Sequence, residues 1–423
     1  MTGVVLFGAL ALFLLLGVPV GVSVGAATMT AIFVCFDIPV SVVAQRLFAA
    51  LDSVSIMAIP FFVLAGNLMT EGGISRRLVQ FANRIVGGVR GGLCYAAVLA
   101  CAFFASLSGS GPATVLAIGS MMYPDMVKLG YPPARSAGLL AVAGGLGPVI
   151  PPSIIMVVYC TITNTSISDM FTAGLYVGIL IVITLCLVCA FLARKENWPK
   201  SDQKFDLAAL GVALFKALPA IFLPVIVLGG IYSGSLTPTE SAATAAIYAV
   251  LVGLFVYREL HPGNILGIVL QSAKSSAMIL FVIATAASFS WLFTYSGISN
   301  DLVVAIKSLN LSMTAFSVLM FFILLLFGTF MEGIAMCVLL VPVLFPVAKG
   351  LDISGLQFGI IVCVCGVLGA MTPPVAVNIF AAASVSKLKL GDICAGELPF
   401  FITFALTLFI FVLFPQILEF LIL

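Results

Sequence analysis

Apolar stretches long enough to cross a lipid bilayer recur along this chain. Hydrophobic residues make up 62% of its 423 residues and charged residues only 8%, whereas soluble domains carry about 25% charged residues. A chain with so few charges could not cover a water-facing surface. We therefore expect the whole chain to lie in a lipid bilayer. The composition therefore predicts an all-α polytopic membrane protein, and it shows no basic patch that would suit nucleic acid.

The chain contains an internal repeat. The segment GPVIPPSIIM at residues 147–156 resembles GAMTPPVAVN at residues 369–378, which lies 222 positions later. The same offset relates Ser110–Gly111 to Glu332–Gly333, and GGISRRLV at residues 72–79 resembles SGISNDLV at residues 296–303. Several matches in one order and at nearly constant spacing indicate two structural repeats.

Each repeat is predicted to contain the same elements in the same order: two scaffold spans, an amphipathic arm, a third span, a hairpin, a proline-interrupted span and a last span. For the first repeat, residues 1–193, the predicted ranges are 4–35 for the scaffold spans, 39–54, 56–69, 92–123, 136–163 and 173–193. For the second repeat, residues 219–423, they are 219–257, 258–273, 275–295, 313–345, 356–385 and 397–414, with a linker at residues 194–218.

About five full crossings in each repeat is an odd number, so the second repeat is expected to be inverted relative to the first. The positive charges agree with this topology, because 15 of the 18 Lys and Arg residues fall in segments that would share one side. The exceptions are Arg46, Lys307 and Lys349. Since cytoplasmic loops are enriched in Lys and Arg, the linker is predicted to be cytoplasmic and both termini periplasmic.

The apolar runs are interrupted at four matching places. Ser, Gly and Pro interrupt one run at residues 106–114, where each flanking run is too short to span alone, and its counterpart at residues 328–335 contains Gly, Thr and Glu. These two breaks predict one re-entrant hairpin per repeat. The other two breaks, at residues 145–153 and 369–376, contain proline inside a run of spanning length. Proline removes a backbone donor and frees carbonyls, which are tolerated at membrane depth only where they line a cavity or bind something.

Freed carbonyls and hydroxyls suit a small dehydrated cation such as sodium, and at least two sodium sites are predicted from the breaks. The first would combine Ser106, Ser108 and Ser110 with the backbone of Gly145, Val149 and Pro151. The second would combine Gly328, Thr329 and Thr372 with the backbone of Met371. The alternative is that these residues only kink packed helices, but four symmetrical breaks favour a function.

Further polar residues near the breaks are candidates for contact with a substrate. Glu332 is the only carboxylate predicted deep in the membrane, as a cation ligand, a proton carrier or the cap of a hairpin tip. Helix N-termini in the same cavity would favour an anion. The predicted substrate-binding residues are Ser108, Ser110, Asn164, Asn378 and Ser384, whereas Asn67 is expected to serve helix packing.

Five segments resemble the large membrane subunit of tripartite ATP-independent periplasmic (TRAP) transporters: IPFFVLAGNLMTEGGISRRLV, FASLSGSGPATVLAIG, GYPPARSAGLLA, GPVIPPS and GAMTPPVAVN, which begin at residues 59, 104, 130, 147 and 369. The likeness runs over essentially the whole chain. It implies a sodium-driven importer of organic acids, such as C4-dicarboxylates or sialic acids, in the bacterial inner membrane. It also implies a heterodimer with a small four-helix membrane subunit, a soluble periplasmic substrate-binding protein, and an elevator mechanism in which hairpins and broken helices slide against a fixed scaffold.

Other function classes fit the sequence less well. A stand-alone sodium–anion symporter needs no binding protein, and a cation–proton antiporter would depend on Glu332 alone. A channel needs a pore open at both ends, which two hairpins meeting in the membrane oppose. An enzyme is disfavoured because there is no GxxxxGK[ST] motif and the single histidine, His261, lies in a predicted cytoplasmic loop. A structural scaffold would not need symmetrical breaks.

The inverted topology predicts the sides from which two loops can be labelled. Single cysteines introduced near Arg84 and near Asn300 should react with a membrane-impermeant maleimide from opposite sides of the membrane, the first from the cytoplasm. A third cysteine at Lys200 in the predicted cytoplasmic linker is the control and should follow the Arg84 position. Labelling of both test positions from one side would contradict the inversion.

Overall fold

A computed structural model describes residues 2–86, 88–200, 206–309 and 311–417, without the side chain of Leu107. These residues form nineteen α-helices, and their one β-type pairing is an isolated bridge between Arg90 and Lys200. Eight helical segments within them are long and apolar enough to cross a membrane. The all-α membrane fold predicted from composition is therefore confirmed.

The described helices are ten in residues 2–200 and nine in residues 206–417. The first half contains α1 Thr2–Leu15, α2 Val20–Cys35, α3 Val40–Leu51, α4 Ala58–Glu71 after a short 3₁₀ turn, α5 Ile74–Val86, α6 Gly92–Ser108, α7 Gly111–Lys128, α8 Pro133–Gly144, α9 Ile154–Thr163 and α10 Ile167–Lys195. The second half contains α11 Leu207–Tyr232, α12 Pro238–Leu251 followed by a π turn, α13 Pro262–Tyr295, α14 Ile298–Ser308, α15 Met313–Phe330, α16 Gly333–Gly350, α17 Gly355–Ala370, α18 Val377–Ser386 and α19 Leu390–Leu413.

The linker predicted at residues 194–218 is too long. Helix α10 continues to Lys195, where Arg194 and Lys195 lie in the last turn and face the negative end of the helix dipole. Helix α11 begins directly after Asp206, whose carboxylate accepts a hydrogen bond from the amide of Ala208 at 2.9 Å. The last twelve residues of the predicted linker, 207–218, therefore belong to α11, which this N-cap begins.

The second arm, predicted at residues 258–273, is not a separate element. It joins the following span in the single helix α13, which begins at Pro262 and has no further proline before it ends at Tyr295. In the first half, Asp52 and Ser53 end α3 before the next helix begins. An arm and a span therefore merge wherever no residue interrupts the backbone hydrogen bonds between them.

Helices α5 and α14 were not predicted as separate elements, although their sequences supplied one of the repeat matches. Both are short and carry charged residues, so neither is an apolar run. Helix α5 is strongly amphipathic: it buries Ile74, Leu78 and Ala82, while Arg76 is exposed. Both helices begin after a glycine with positive φ, Gly73 at 74° and Gly297 at 78°, so this backbone turn is the shared feature.

Each hairpin tip packs on the proline-containing break of its own half. The first hairpin is α6–α7, and a Cβ atom on Gly147 of the break would lie 2.7 Å from the carbonyl of Ser110 at its tip. The second is α15–α16, where Gly369 is packed directly against Gly328 and the amide of Val375 donates to the carbonyl of Thr329 at 3.1 Å. No side chain fits at either glycine, because backbone meets backbone there.

The two halves are interleaved around these tips. Helix α9, which follows the first break, packs on α16 of the second hairpin, and α18, which follows the second break, packs on α7 of the first hairpin. A separate group of helices contains α2, α4, α12 and α13, with α12 against α4 and α13 against both α2 and α4. The hairpins and breaks therefore face a wall that α4 and α13 provide.

The crossing of α8 and α19 generates a prediction about stability. A Cβ atom on Gly396 would collide with the backbone of Ala134, so Gly396→Ala should destabilise the folded protein by about 1–3 kcal/mol through overpacking. Gly391→Ala is the matched control, because no atom lies within 4 Å of its Cβ position in the same helix. Thermal unfolding in detergent should show a lower melting temperature for Gly396→Ala only, and equal values for both variants would contradict this close packing.

Candidate functional site

A cavity of about 460 Å³ lies where the hairpin tips meet the wall of α4 and α13. One side is lined by both hairpin tips, by Ile154 and Ile155 after the first break, and by Val377 and Asn378 after the second break. The opposite side is lined by residues of α4 and α13, namely Val63, Gly66, Asn67, Thr70, Ser275, Met278 and Ile279. The cavity is thus shared between the two groups of helices.

Hydroxyl groups order the tip of the first hairpin. Thr114 is fully buried and donates to the carbonyl of Ser110 at 2.8 Å, which leaves its oxygen to accept from Ser108 at 2.9 Å. The hydroxyl of Ser110 makes no hydrogen bond to another described residue, and both serines line the cavity. The structure therefore brings together Ser108 and Ser110, two of the five predicted substrate residues.

Asn378 belongs to the second half but reaches the first hairpin. Its side chain is 1% exposed and donates from Nδ2 to the carbonyl of Ala141 at 3.2 Å. Its Oδ1 has no hydrogen-bond partner among the described residues, and a Cβ atom on Gly111 would lie 2.7 Å from this oxygen. Asn378 therefore presents an unsatisfied acceptor beside the first turn of α7, as part of the cavity lining.

Glu332 lines the same cavity at the tip of the second hairpin. It takes the N-cap position of α16, as one of the three hypotheses held, although its side chain makes no capping hydrogen bond. Among the described residues that line the cavity there is no Lys, Arg or His. Glu332 is consequently the one ionisable side chain of that lining.

The sequence did not indicate that Glu397 is a buried carboxylate. Glu397 is 5% exposed, and its Oε2 has no partner among the described residues. The sequence analysis placed this residue at the very start of the last span, whereas α19 begins at Leu390 and carries Glu397 two turns inward. Glu397 is thus a buried carboxylate, whereas Glu332 is exposed and lines the cavity, of which Glu397 is not part.

Asn67 on α4 is a cavity residue that the sequence analysis assigned to packing. Its Nδ2 donates to the hydroxyl of Ser272 on α13 at 2.8 Å, and Ser272 donates to the carbonyl of Ile268 at 2.7 Å. These bonds fix the side chain, and its Oδ1 accepts no hydrogen bond from the described residues. An isolated Asn in an apolar segment indicates a candidate binding residue, but the sequence did not indicate which face of the helix Asn67 occupies.

The residues of the first predicted cation site do not all line the same cavity. Ser106 and Pro151 line a different, mostly apolar cavity of about 310 Å³, whereas Ser110 lines the main one. The carbonyl oxygen of Val149 lies 2.8 Å from the Cβ position of Gly174 on α10. Gly145 contacts Met371, a residue predicted for the second set, so the two breaks touch each other.

Three predicted cation ligands share one hydroxyl geometry. Ser106, Thr329 and Thr372 each donate to a carbonyl of the preceding turn, those of Phe103, Leu326 and Leu368, at 2.8, 2.7 and 2.8 Å. The proton of each hydroxyl is thereby directed to its own helix, and the oxygen lone pairs stay free for a cation. Gly328 and Thr329 lie against the second break, next to Gly369 and Val375.

Two predicted substrate residues lie away from the main cavity. Asn164 has a positive φ of 57° at the end of α9 and lines a separate cavity of about 450 Å³ with Ser53, Ser55 and Thr165. Ser384 donates to the carbonyl of Ala381 at 2.7 Å and does not line the main cavity. Both were placed by their distance along the chain after a proline break, but each lies two to three helical turns beyond it.

Comparison with known proteins identifies the family. Residues 7–417 match the family model described as "Tripartite ATP-independent periplasmic transporter, DctM component". The chain is 42% identical to the C4-dicarboxylate TRAP transporter large permease protein DctM of Pseudomonas aeruginosa, over 88% of this chain and 87% of that protein. It is 40% identical to the isethionate TRAP transporter permease protein DctMQ of Oleidesulfovibrio alaskensis, over 93% of this chain but only 62% of that longer protein.

A solved structure supports the fold. The crystal structure of the YdaH transporter of Alcanivorax borkumensis matches with a TM-score of 0.65 at 16% identity, over 89% of this chain and 88% of that chain. At this identity the likeness concerns the fold alone. With the family match over nearly the whole length, it confirms the resemblance seen in the sequence: the chain belongs to the DctM family of TRAP transporter large permeases, which are membrane transport proteins and not enzymes.

Proposed function

We propose that this chain is the large permease of a sodium-gradient-driven importer of a small organic anion, which a soluble periplasmic binding protein delivers. The observation that carries this proposal is the 460 Å³ cavity, where two interrupted helix pairs meet the wall of α4 and α13. Broken helices around a shared cavity are the architecture of secondary transporters. The names of the relatives, C4-dicarboxylate and isethionate permeases, support an organic anion as cargo.

Sodium is the proposed coupling ion. The hydroxyl oxygens of Ser106, Thr329 and Thr372 are oriented by bonds to their own helices, so they accept a cation without rearrangement. Carbonyls freed at the two breaks would complete the ligand sets. These are neutral oxygen ligands, so binding of sodium would not require deprotonation of an acid.

An elevator mechanism is the proposed movement. The moving part would contain α6–α10 and α15–α19, in which the tips, breaks and interleaved helices pack on one another. The fixed scaffold would contain the two first spans and the arm of each half, that is α1–α3, α11, α12 and the start of α13. To these the packing adds the third spans, α4 and the rest of α13, because α4 packs on α12 and α13 packs on α2. A sliding boundary between the two parts would carry the cavity from one side of the membrane to the other, and the cavity already lies on this boundary.

The conformation is proposed to face inward. The polar scaffold residues of the main cavity are Asn67 and Thr70 near the end of α4, and Ser275 in the first half of α13. In the predicted orientation, these parts of the scaffold lie toward the cytoplasm. The separate cavity near Asn164 is lined by Ser53 and Pro238 and would lie on the periplasmic side of the same boundary.

The proposed assembly has three components. A small four-helix membrane subunit would form a heterodimer with this chain in the inner membrane, and the binding protein would dock from the periplasm. Without the small subunit, much apolar surface on the proposed scaffold faces outward, such as Phe215, Phe222 and Leu218 on α11. Lipid and the small subunit would share this surface.

Uptake into proteoliposomes tests the function. This chain with its small subunit should accumulate a labelled carboxylate only when an inward sodium gradient and the binding protein are both present. Equal sodium on both sides is the control for the gradient. Uptake without the binding protein would favour a stand-alone symporter, and uptake driven by a pH gradient without sodium would favour proton coupling through Glu332.

Removal of two hydroxyl ligands tests the sodium sites. Ser106→Ala and Thr372→Ala should each raise the sodium concentration for half-maximal uptake about three- to tenfold, in line with the loss of one ligand contact of about 1 kcal/mol. Ser120→Ala is the matched control, since this serine makes the same type of bond, to Ala117 at 3.1 Å, on an exposed part of α7. Unchanged sodium dependence in both test variants would refute these site assignments.

A further inference from the structure

The mostly apolar cavity of about 310 Å³ has its mouth between α10 and α11, and we call it the lateral crevice. Its walls come from α5, α6, the first break, α10 and α11, and Ser106 is the only polar side chain among its described lining residues. At the mouth, Ile179 and Ile183 of α10 and Val225 of α11 are 46%, 49% and 56% exposed. Apolar side chains therefore surround both the crevice and its opening.

The mouth faces the hydrocarbon of the bilayer. Both α10 and α11 are long and apolar enough to span a membrane. Ile183 and Val225 each lie at least seven residues from either end of their helix, which is about 10 Å or more along the axis. Water is absent at this depth, and an empty crevice would forfeit the dispersion contacts of its walls. The occupant is therefore a hydrocarbon chain or an apolar protein segment.

The walls of the lateral crevice belong to different parts of the proposed elevator. Helices α6 and α10 and the first break lie in the moving part, whereas α11 lies in the scaffold. A helix of the small subunit held in the crevice would have to break its contacts with one wall in every transport cycle. A lipid chain is flexible and can follow both walls, so a lipid is the better match.

Two basic residues lie where the headgroup of such a lipid would be. Arg194 lies eleven residues beyond Ile183, which places both on one face of α10 about 16 Å apart. Lys216 lies one turn before Ala220, a lining residue, and about 14 Å along α11 from Val225. Both basic side chains are exposed. Half of the hydrocarbon core is about 15 Å thick, so a lipid with its phosphate at these residues would bring its chain to the mouth.

The positive charge is restricted to one end of the two helices. Helix α10 begins with Asp169 in its first turn, and α11 has no Lys or Arg in its last turn. Glu196, which follows the basic end of α10, accepts hydrogen bonds from Arg135 and Trp198 instead. In the predicted orientation, the basic end is cytoplasmic. Basic groups at this surface attract anionic headgroups more strongly than zwitterionic ones.

We propose that one anionic glycerophospholipid of the cytoplasmic leaflet binds here, with its phosphate at Arg194 and Lys216 and an acyl chain in the lateral crevice. This site goes beyond the proposed transport function, although the choice of a lipid over a protein segment rests on the proposed sliding boundary. The chain would lie against Ser106 and Pro151, two residues of the first predicted cation site. It would thereby close this side of that site to water.

Lipid binding to the purified complex tests the proposed site. The chain with its small subunit is delipidated in detergent and titrated with dioleoyl phosphatidylglycerol or dioleoyl phosphatidylethanolamine, and native mass spectrometry counts the bound lipids. The two lipids have the same chains and differ in headgroup charge. The first molecule of phosphatidylglycerol should bind at least tenfold more tightly than the first molecule of phosphatidylethanolamine.

Charge variants identify the headgroup site. Arg194→Gln combined with Lys216→Gln should bring the affinity for phosphatidylglycerol to within threefold of that for phosphatidylethanolamine, because the attraction of the phosphate to the basic groups is lost. Lys128→Gln combined with Lys274→Gln is the matched control. These two lysines are exposed and predicted to be cytoplasmic, but they lie on α7 and α13. The control should retain the tenfold preference.

Variants at the mouth identify the acyl-chain site. Ile183→Trp should weaken the binding of both lipids at least tenfold, because the indole fills the mouth of the crevice. Leu406→Trp is the control, since Leu406 is 59% exposed on α19 and does not line the crevice. Melting temperatures without added lipid check that each variant is folded. If Ile183→Trp is destabilised, the charge variants and the photolabel described next decide.

A photoreactive lipid locates the chain directly. One equivalent of phosphatidylglycerol with a diazirine near the end of an acyl chain is irradiated with the complex, and the labelled peptides are mapped. Label should appear on the lining residues Phe103 and Ile221 and not on Leu406. A benzophenone maleimide attached to Ile183→Cys should form no cross-link to the small subunit.

Equal affinities for the two lipids, an unchanged preference in the double charge variant, or a cross-link from Ile183→Cys to the small subunit would overturn the inference. Label on Leu406 without label on the lining would do the same. Failure of the proposed function has a different signature, since it appears in the uptake assay as transport that ignores the sodium gradient. The lipid titration involves neither a gradient nor a cargo.

Discussion

Backbone amides and carbonyls at membrane depth must find partners, and this chain interrupts its helices in four places within apolar runs. The interruptions pack on one another in pairs, and in the second pair the amide of Val375 donates to the carbonyl of Thr329. The first hairpin tip lies against the first break at Ser110 and Gly147, and the second tip lies against the second break at Gly328 and Gly369. Glycine is required at these contacts because the backbones meet. This pairing joins each hairpin to its broken helix and places both tips at one cavity.

The two halves differ in chemistry at positions that match in sequence. At the 222-residue offset, Glu332 stands where the first hairpin has Ser110, and Asn378 stands where the first broken helix has Met156. The interleaved packing then brings the polar residue of one half to the hairpin of the other, as Asn378 reaches Gly111. The lining thereby combines different polar groups from the two halves, which is what recognition of a particular solute requires. The free acceptors of that lining arise from this difference.

The wall of α4 and α13 gives the cavity its second side. Asn67 and Ser272 hydrogen-bond across these two helices, so the polar group on the wall is fixed before any ligand arrives. A ligand in the cavity contacts residues from both groups of helices at once. In an elevator these contacts would form in one conformation and break in the other, and the wall would then influence release as well as recognition.

The sequence alone determined the membrane setting, the order of the helices and the position of each break, because apolar length and the presence of Gly and Pro act locally on the backbone. It also indicated Ser108, Ser110, Glu332 and Asn378, which all line the cavity. Only the tertiary structure decided which break residues meet. Ser106 and Ser108 are about 200° apart around their helix and face different cavities. The surroundings of Asn67, Asn164 and Glu397 could not be predicted for the same reason: the side on which a polar residue lies depends on the helices packed around it, and those come from distant parts of the chain.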